Sequence, residues 1–142
     1  MTGLSAPMSH IPAEKHMSPV IVLGVQTPMW VAHLRDLGRH NYCTIGIGRL
    51  PKSIGFASRF CRHAEIRASS EATLITQLQE LAIRFPDAAL LAVSENDNMI
   101  INRHRQELES TLAILAPEEA LLEQVLDKSR SIDLARQAGI RV

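Results

Sequence analysis

Short runs of apolar residues alternate along this chain with stretches in which apolar residues recur every three or four positions. An unbroken apolar run, such as residues 20–23 or 88–93, is typical of a strand buried on both faces, as in a parallel sheet between helices. Residues 42–47 are rich in β-forming side chains. We therefore predict strands at residues 20–23, 42–47, 61–66, 88–93 and 112–116, with Ala64 and Ile66 facing the core.

The first strand leads into a helix through a turn that begins at Gly24. Thr27 can cap a helix start, and Pro28 suits the first helical position because its missing N–H is not needed there. Gly38 is expected to end this helix. The apolar residues at helical spacing between these limits are Trp30, Val31, Leu34 and Leu37.

Further helices follow from the same spacing. We predict them after Ser70, over residues 99–108, from Pro117 to an interruption at residue 127, and up to a cap at Gly139. The helix after Pro117 should bury a stripe made of Leu121, Leu122, Val125 and Leu126. Residues 54–60 suggest no more than one helical turn.

Strands and helices alternate, with connections too short for anything except crossovers. This order predicts an α/β fold of the Rossmann-like kind, an open, mainly parallel sheet with helices on both faces. In such sheets ligands usually bind at the carboxyl ends of the strands.

Two polar clusters follow buried strands and should share that edge of the sheet. Gly24, Gln26 and Thr27 surround a helix N-terminus, which favours a carboxylate or phosphate. A turn followed by a helix cap explains these three residues equally well. Glu95 and Asp97 could bind an amine or a hydroxyl; alternatively, Asp97 caps a helix and Glu95 is solvated.

Arg59, beside Ser58, is a further candidate for an anion, and the alternative is an ordinary surface arginine. Cys43 and Cys61 have neither metal-ligand spacing nor a CxxC motif. We interpret them as reduced core thiols.

Composition narrows the function classes. The 142 residues, 46% apolar and 21% charged, suit one globular domain. Fifteen basic residues balance fifteen acidic ones, so the overall charge does not favour binding to nucleic acid. No apolar run approaches the roughly 20 residues that span a membrane, and residues 1–18 lack the core of a signal peptide. We predict a flexible tail over 1–18 and a cytoplasmic protein.

Familiar nucleotide and hydrolase motifs do not occur in the sequence. Gly24 is not followed by the second glycine of a dinucleotide-binding loop, and Lys52 follows a proline rather than the glycine of a phosphate-binding loop. Neither HExxH nor GxSxG is found. The pattern therefore argues against dinucleotide binding.

The order of several short motifs resembles a known family. They are PVIVLG at residues 19–24, RDLG at 35–38, SRF at 58–60, a strand closed by Glu95 and Asp97, NRHRQEL at 102–108, and Asp127-Lys128 before a helix ending in AGI at 138–140. Together they resemble the N-terminal part of ATP-grasp carboxylate–amine ligases, especially the branch of D-aspartate ligase and the carbamoyl-phosphate synthase large chain.

The resemblance implies a pre-ATP-grasp domain over residues 19–126 and the start of the ATP-grasp region, truncated, over 127–142. In that family the complete enzyme phosphorylates a carboxylate with ATP and Mg²⁺, and an amine attacks the acyl phosphate. The residues for this chemistry would lie downstream. This chain is therefore expected to hold no cofactor and to be inactive alone, with ATP and Mg²⁺ belonging to the full-length parent.

We interpret the chain as a substrate-side domain that forms one wall of the site for a small carboxylate or amine and docks a downstream ATP-grasp domain. On this interpretation Gly24, Gln26 and Thr27 hold an anionic group, and Glu95 and Asp97 hold an amine or hydroxyl. The alternative is a free-standing Rossmann-like module for a small ligand or a protein partner. The sequence leaves the substrate and homodimer formation open.

Overall fold

One parallel sheet organises the molecule. The computed structural model describes residues 17–92 and 94–141, with Met17 described by its backbone alone. The strands are β1 (Met17–Leu23), β2 (Tyr42–Gly48), β3 (His63–Ile66), β4 (Ala89–Ala92) and β5 (Ala113–Leu115). They form a five-stranded sheet in the order β3-β2-β1-β4-β5, and each neighbouring pair is parallel. The predicted Rossmann-like α/β fold is confirmed.

Helices lie between most of the strands and continue after β5. They are α1 (Pro28–Arg39), α2 (Glu71–Arg84), α3 (Glu95–Arg103), α4 (Arg105–Leu108), α5 (Glu119–Leu126) and α6 (Lys128–Gln137). A single 3₁₀ turn spans Ile54–Ala57, where the sequence suggested one helical turn.

The sheet carries a core on each face because successive side chains of a strand point to opposite sides. Ile21 and Leu23 of β1 pack into one core with the apolar residues of α2, α3 and α4. Val20 and Val22 pack into the other with Trp30 and Leu34 of α1. An apolar run buried on both sides is what this arrangement requires of its central strand.

Local sequence explains the start of α2. The Ser70 side chain accepts a hydrogen bond from the backbone N–H of Thr73, and the Thr73 hydroxyl accepts one from the N–H of Ser70. This capping box satisfies N–H groups that the first turn leaves free. Five buried apolar side chains then face the sheet, as the spacing predicts; they are Leu74, Ile75, Leu78, Leu81 and Ala82.

Two predictions of burial are wrong. Ala64 and Ile66 are exposed, because β3 lies at the edge of the sheet and is covered less than the central strands. In α5 only Leu122 is buried, and the rest of the predicted stripe faces outward with exposures of 53% for Leu121, 59% for Val125 and 40% for Leu126.

Two helix boundaries also differ from the sequence prediction. Gly38 does not end α1, which continues through Arg39. A Cβ at Gly38 would overlap the Phe60 ring, so the glycine provides room for packing. The helix predicted over 99–108 begins earlier, at Glu95, and is interrupted at His104.

The start of the chain is described from the first strand onward. Met17 and Ser18 belong to β1, so these two residues of the predicted tail are part of the sheet. Residues 1–16 lie outside the described part of the chain.

Candidate functional site

The strand order places a topological switch point between β1 and β4, and the carboxyl ends of these two strands are called the crevice below. The chain leaves β1 for β2 and β3 on one side, and then crosses to β4 and β5 on the other. A change of direction of this kind separates the connecting segments at the carboxyl ends of the strands, which is where open α/β sheets bind ligands. Leu23 and Ala92 are paired residues at these ends of β1 and β4.

The turn after β1 lies against the start of α3. An ideal Cβ on Gly24 would be 3.7 Å from Asp97 Oδ2 and 3.0 Å from Trp30 Nε1. Gly24 has a φ of +106° and donates its N–H to the carbonyl of Ile47 at 2.8 Å. Two features favour glycine at this position. The backbone is left-handed, and a side chain would crowd Trp30. The expected closeness of residues 24–27 and 94–98 is therefore present.

Asp97 is held by an arginine rather than by a helix end. Its carboxylate is 1% exposed, and Oδ1 accepts a hydrogen bond from Nη1 of Arg67, which is 11% exposed. Ser94 is the N-cap of α3, since its hydroxyl accepts the backbone N–H of Asp97 at 3.1 Å. The alternative in which Asp97 caps the helix is wrong, and its carboxylate pairs with Arg67 through Oδ1.

Buried polar atoms without partners collect in the two turns. Asp97 Oδ2, Asn98 Oδ1 and Gln26 Oε1 are buried and have no hydrogen-bond partner among the described residues. Buried acceptors are nearly always satisfied by protein groups or by ordered water, so a water molecule or a ligand group is expected beside each of these atoms. Turning either amide by 180° would present its NH₂ group instead, whereas an ionised carboxylate only accepts. An ionised Asp97 carboxylate at this place can therefore only accept a hydrogen bond through Oδ2.

A positively charged groove adjoins this carboxylate. Arg49, Arg67, Ala68 and Ser69 line a cavity of about 230 Å³. Arg49 follows β2 and Arg67 follows β3, so both lie beyond carboxyl ends of the same sheet. Arg67 is held in place by its backbone N–H, which donates to the carbonyl of Gly48 at 2.9 Å. The edge therefore has an acceptor region over β1 and β4 and a cationic region over β2 and β3.

Sequence reasoning missed Arg67. The signal was its position directly after a strand, the same signal that selected Glu95 and Asp97. Residues 61–66 form a short edge strand, and the following arginine is separated from Asp97 by 30 positions. The pair becomes visible only once β3 and α3 are placed in the fold.

The remaining predicted site residues lie in two regions. Thr27 and Glu95 are at the helix starts beside the crevice, and Arg59 is near the end of α1. Thr27 occupies the N-cap position of α1, but its exposed side chain makes no capping hydrogen bond. Glu95 is exposed in the first turn of α3. Arg59 lies beside the last turns of α1, where it lines another groove with Arg35 and Arg39. The structure therefore brings Gly24 and Asp97 together, keeps Gln26 in the adjoining turn, and leaves Arg59 elsewhere.

Both cysteines are free thiols and half-buried rather than fully in the core. Burial raises the pKa of the Cys61 thiol, and a backbone hydrogen bond with Gly46 acts in the opposite direction. A raised pKa keeps this thiol protonated and unreactive near neutral pH.

Metal-binding clusters and membrane-spanning helices are both absent from the described ranges. Residues 17–92 and 94–141 contain no group of three or more His, Cys, Asp or Glu side chains placed to hold a metal ion. Over the same ranges, no helix combines the length and apolar character needed to cross a membrane.

Comparison with known proteins supports the fold. No protein-family model and no curated protein matches the sequence. Among solved structures, the chain is similar to the biotin carboxylase domain of a single-chain bacterial carboxylase, with a TM-score of 0.61 and 20% sequence identity. The match covers 88% of this chain and 30% of that one, so the present chain spans less than a third of its structural neighbour.

Proposed function

We propose that this chain is the substrate-side, N-terminal unit of an ATP-dependent carboxylate–amine ligase of the ATP-grasp type. The observation that carries the proposal is the buried, unpaired Oδ2 of Asp97 at the switch point of the sheet. The structural likeness to a biotin carboxylase domain supports the same general class, and the order of motifs along the sequence supports the finer assignment.

In this proposal Asp97 receives the amine of a small substrate. Arg67 engages Oδ1 and fixes the carboxylate, which leaves Oδ2 to accept an N–H. Such a charge-assisted hydrogen bond is about twice as strong as a neutral one. Orienting the nitrogen lone pair is the task that an acyl-transfer reaction sets for its nucleophile, because correct positioning lowers the barrier.

The rest of the edge would bind the remainder of the substrate. Gln26 supplies an amide beside the same crevice, and Gly24 keeps the space open. Thr27 and the free N–H groups that begin α1 favour a carboxylate or another anion. Glu95 would act at the rim as a second acceptor. The substrate class is therefore a small molecule that carries an amine and an anionic group.

The exposed apolar face of α5 and α6 supports a docking role. Leu121, Val125 and Leu126 of α5 and Ile132 and Leu134 of α6 are between 38% and 59% exposed. Several exposed large apolar side chains on two neighbouring helices are compatible with an interface. We propose that an ATP-grasp catalytic domain covers this face and brings ATP and Mg²⁺, none of which this chain would hold by itself.

Calorimetry tests whether this chain binds the substrate while a separate catalytic domain binds ATP. We expect small amino acids to release heat on binding to the chain, and Mg·ATP to show no tight site. A free-standing ligand-binding module of the same fold, the alternative function, would also bind its ligand without a catalytic partner. Gel filtration with a purified ATP-grasp catalytic domain separates the two, since only a docking unit should form a complex that Leu121→Glu disrupts. Micromolar binding of Mg·ATP to this chain would contradict the proposal.

A further inference from the structure

A second groove, separate from the crevice at the strand ends, gathers three arginines. Arg35 and Arg39 extend from α1, and Arg59 arrives from the loop that follows the 3₁₀ turn. With Ala57, Ser58 and Phe60 they line a cavity of about 420 Å³. Two different segments of the chain therefore place arginines along one groove.

The loop that carries Arg59 is well fixed. Phe60 fits against Gly38 of α1, where any larger residue would overlap the ring. The Phe60 carbonyl accepts the hydroxyl of buried Thr44, and its N–H donates to Ser58 Oγ at 3.3 Å. The Arg59 guanidinium carbon lies 4.7 Å from the centroid of the Phe60 ring, a cation–π contact. Arg59 is thus held over the groove with less conformational freedom than an ordinary surface arginine.

The charges of this groove are not neutralised within the described part of the chain. Other arginines have carboxylate partners, as Arg84 has Glu65 and Arg105 has Glu109, both at 2.7 Å. No such pair within 4 Å involves the three groove arginines among residues 17–92 and 94–141. The nearby carboxylate of Asp36 lies 3.8 Å from His40 instead.

A structural role accounts for only one of these charges. Arg39 occupies the last turn of α1, where a cation interacts favourably with the helix dipole. Arg35 stands four positions earlier, and like charges at this spacing repel each other. Arg59 is not part of the helix at all. All three arginines are exposed and therefore solvated, and an anion in the groove would gain from their combined positive charge.

We propose that this groove binds the phosphate groups of a small molecule. Three guanidinium groups match the several negative charges of a diphosphate or a phosphate monoester, and their planar donors suit phosphate oxygens. A single carboxylate would leave two of the three charges uncompensated. The proposal is independent of the ligase function, because the groove adjoins the C-terminal end of α1 and the crevice adjoins its N-terminal end.

Titration with magnesium-free diphosphate at constant ionic strength tests the proposal, followed by NMR of the backbone amides. We expect saturable shifts at residues 57–60 with a Kd of about 1 mM, too weak to count as the tight nucleotide site excluded above. Arg59→Gln should raise that Kd at least about tenfold, as expected for loss of one charge-assisted contact. Arg136→Gln is the matched control, since Arg136 is an exposed arginine on α6; it should leave the Kd unchanged.

Three further ligands separate the sources of the signal. ADP should bind as diphosphate does, and adenosine should not bind, if phosphate groups are what the groove recognises. Citrate bound as tightly as diphosphate would overturn the assignment to phosphate. Equal binding by wild type and by the Arg35→Gln/Arg39→Gln/Arg59→Gln variant, or no saturation with any phosphate ligand, would overturn the proposal as a whole.

Discussion

Replacing Asp97 by alanine should destabilise the fold far more than the loss of a helix cap would. The substitution removes a carboxylate that is 1% exposed and leaves its partner, the 11% exposed Arg67, without a counter-charge. Breaking a buried ion pair by removing one member typically costs about 3–5 kcal/mol, because the other charge stays buried and unpaired. A lost cap costs only about 1 kcal/mol.

The expected magnitude lies near the lower end of that range. Arg67 borders the groove that also contains Arg49, so its guanidinium can regain some water once Asp97 is gone. We expect a loss of about 3 kcal/mol in the free energy of unfolding. For a chain of this size the loss corresponds to a fall in Tm of roughly 10 °C.

Urea unfolding followed by circular dichroism provides the assay. The midpoint for Asp97→Ala should fall by about 1.5 M if the slope is about 2 kcal/mol/M. Glu95→Ala is the matched control, because this carboxylate lies two positions earlier in α3 and is exposed; its effect should stay within about 0.5 kcal/mol. Adding Arg67→Met to Asp97→Ala should recover part of the loss, since the unpaired charge is then removed.

A small loss of stability in Asp97→Ala would contradict the buried ion pair. If Asp97→Ala costs about 1 kcal/mol or less, the carboxylate is neither buried nor paired with Arg67 in solution. The same conclusion would follow if the second substitution, Arg67→Met, made the variant less stable rather than more.

Three other predictions concern separate parts of the structure. Ser94→Ala should cost about 1 kcal/mol in urea unfolding, since it removes the cap of α3; an unchanged midpoint would contradict that role. Gly24→Ala should cost about 2 kcal/mol, because φ is +106° and the new Cβ would lie 3.0 Å from Trp30 Nε1; the fluorescence of this single tryptophan should shift as well. Hydrogen bonding to Glu107 raises the pKa of His104, so this contact stabilises the fold fully below about pH 6.5 and is lost as pH rises through the raised pKa. NMR titration of the His104 ring should show that pKa, and His104→Gln should remove the corresponding fall in stability with rising pH.

The central strands were predictable because their signal is local. Residues 20–23 are apolar without interruption, and this pattern fits a strand covered on both faces wherever it lies in the sheet. The start of α2 was predictable for the same reason, since Ser70 satisfies N–H groups within its own turn. Such features need no knowledge of distant parts of the chain.

Features that depend on tertiary contacts could not be predicted from the sequence. Helical spacing located the apolar stripe of α5, but spacing does not say what covers a stripe, and Leu121 and Val125 face outward. Gly38 was expected to end α1, whereas the structure shows that a glycine is needed there because the Phe60 ring packs against it.

The candidate site was predictable in its position and not in its charge balance. Parallel strands bring their carboxyl ends to one edge, so Gly24 and Asp97 could be placed together from the order of elements. Arg67 comes from a different strand, and its ion pair joins residues 30 positions apart. Arg59 could not be located from the sequence, because the loop that carries it runs from one end of α1 towards the other.

A residue-resolved titration with two matched acids tests whether Asp97 receives an amine. The backbone amides of the chain are followed by NMR as alanine is added, and in a parallel experiment as propionate, the same acid without the amine, is added. We predict that alanine shifts the amides of residues 24–27 and 94–98, that propionate shifts them much less, and that Asp97→Asn abolishes the difference while Glu80→Gln, an exposed carboxylate on α2, preserves it. Equal shifts with the two acids, or shifts confined to other parts of the chain, would contradict the claim that Asp97 receives an amine.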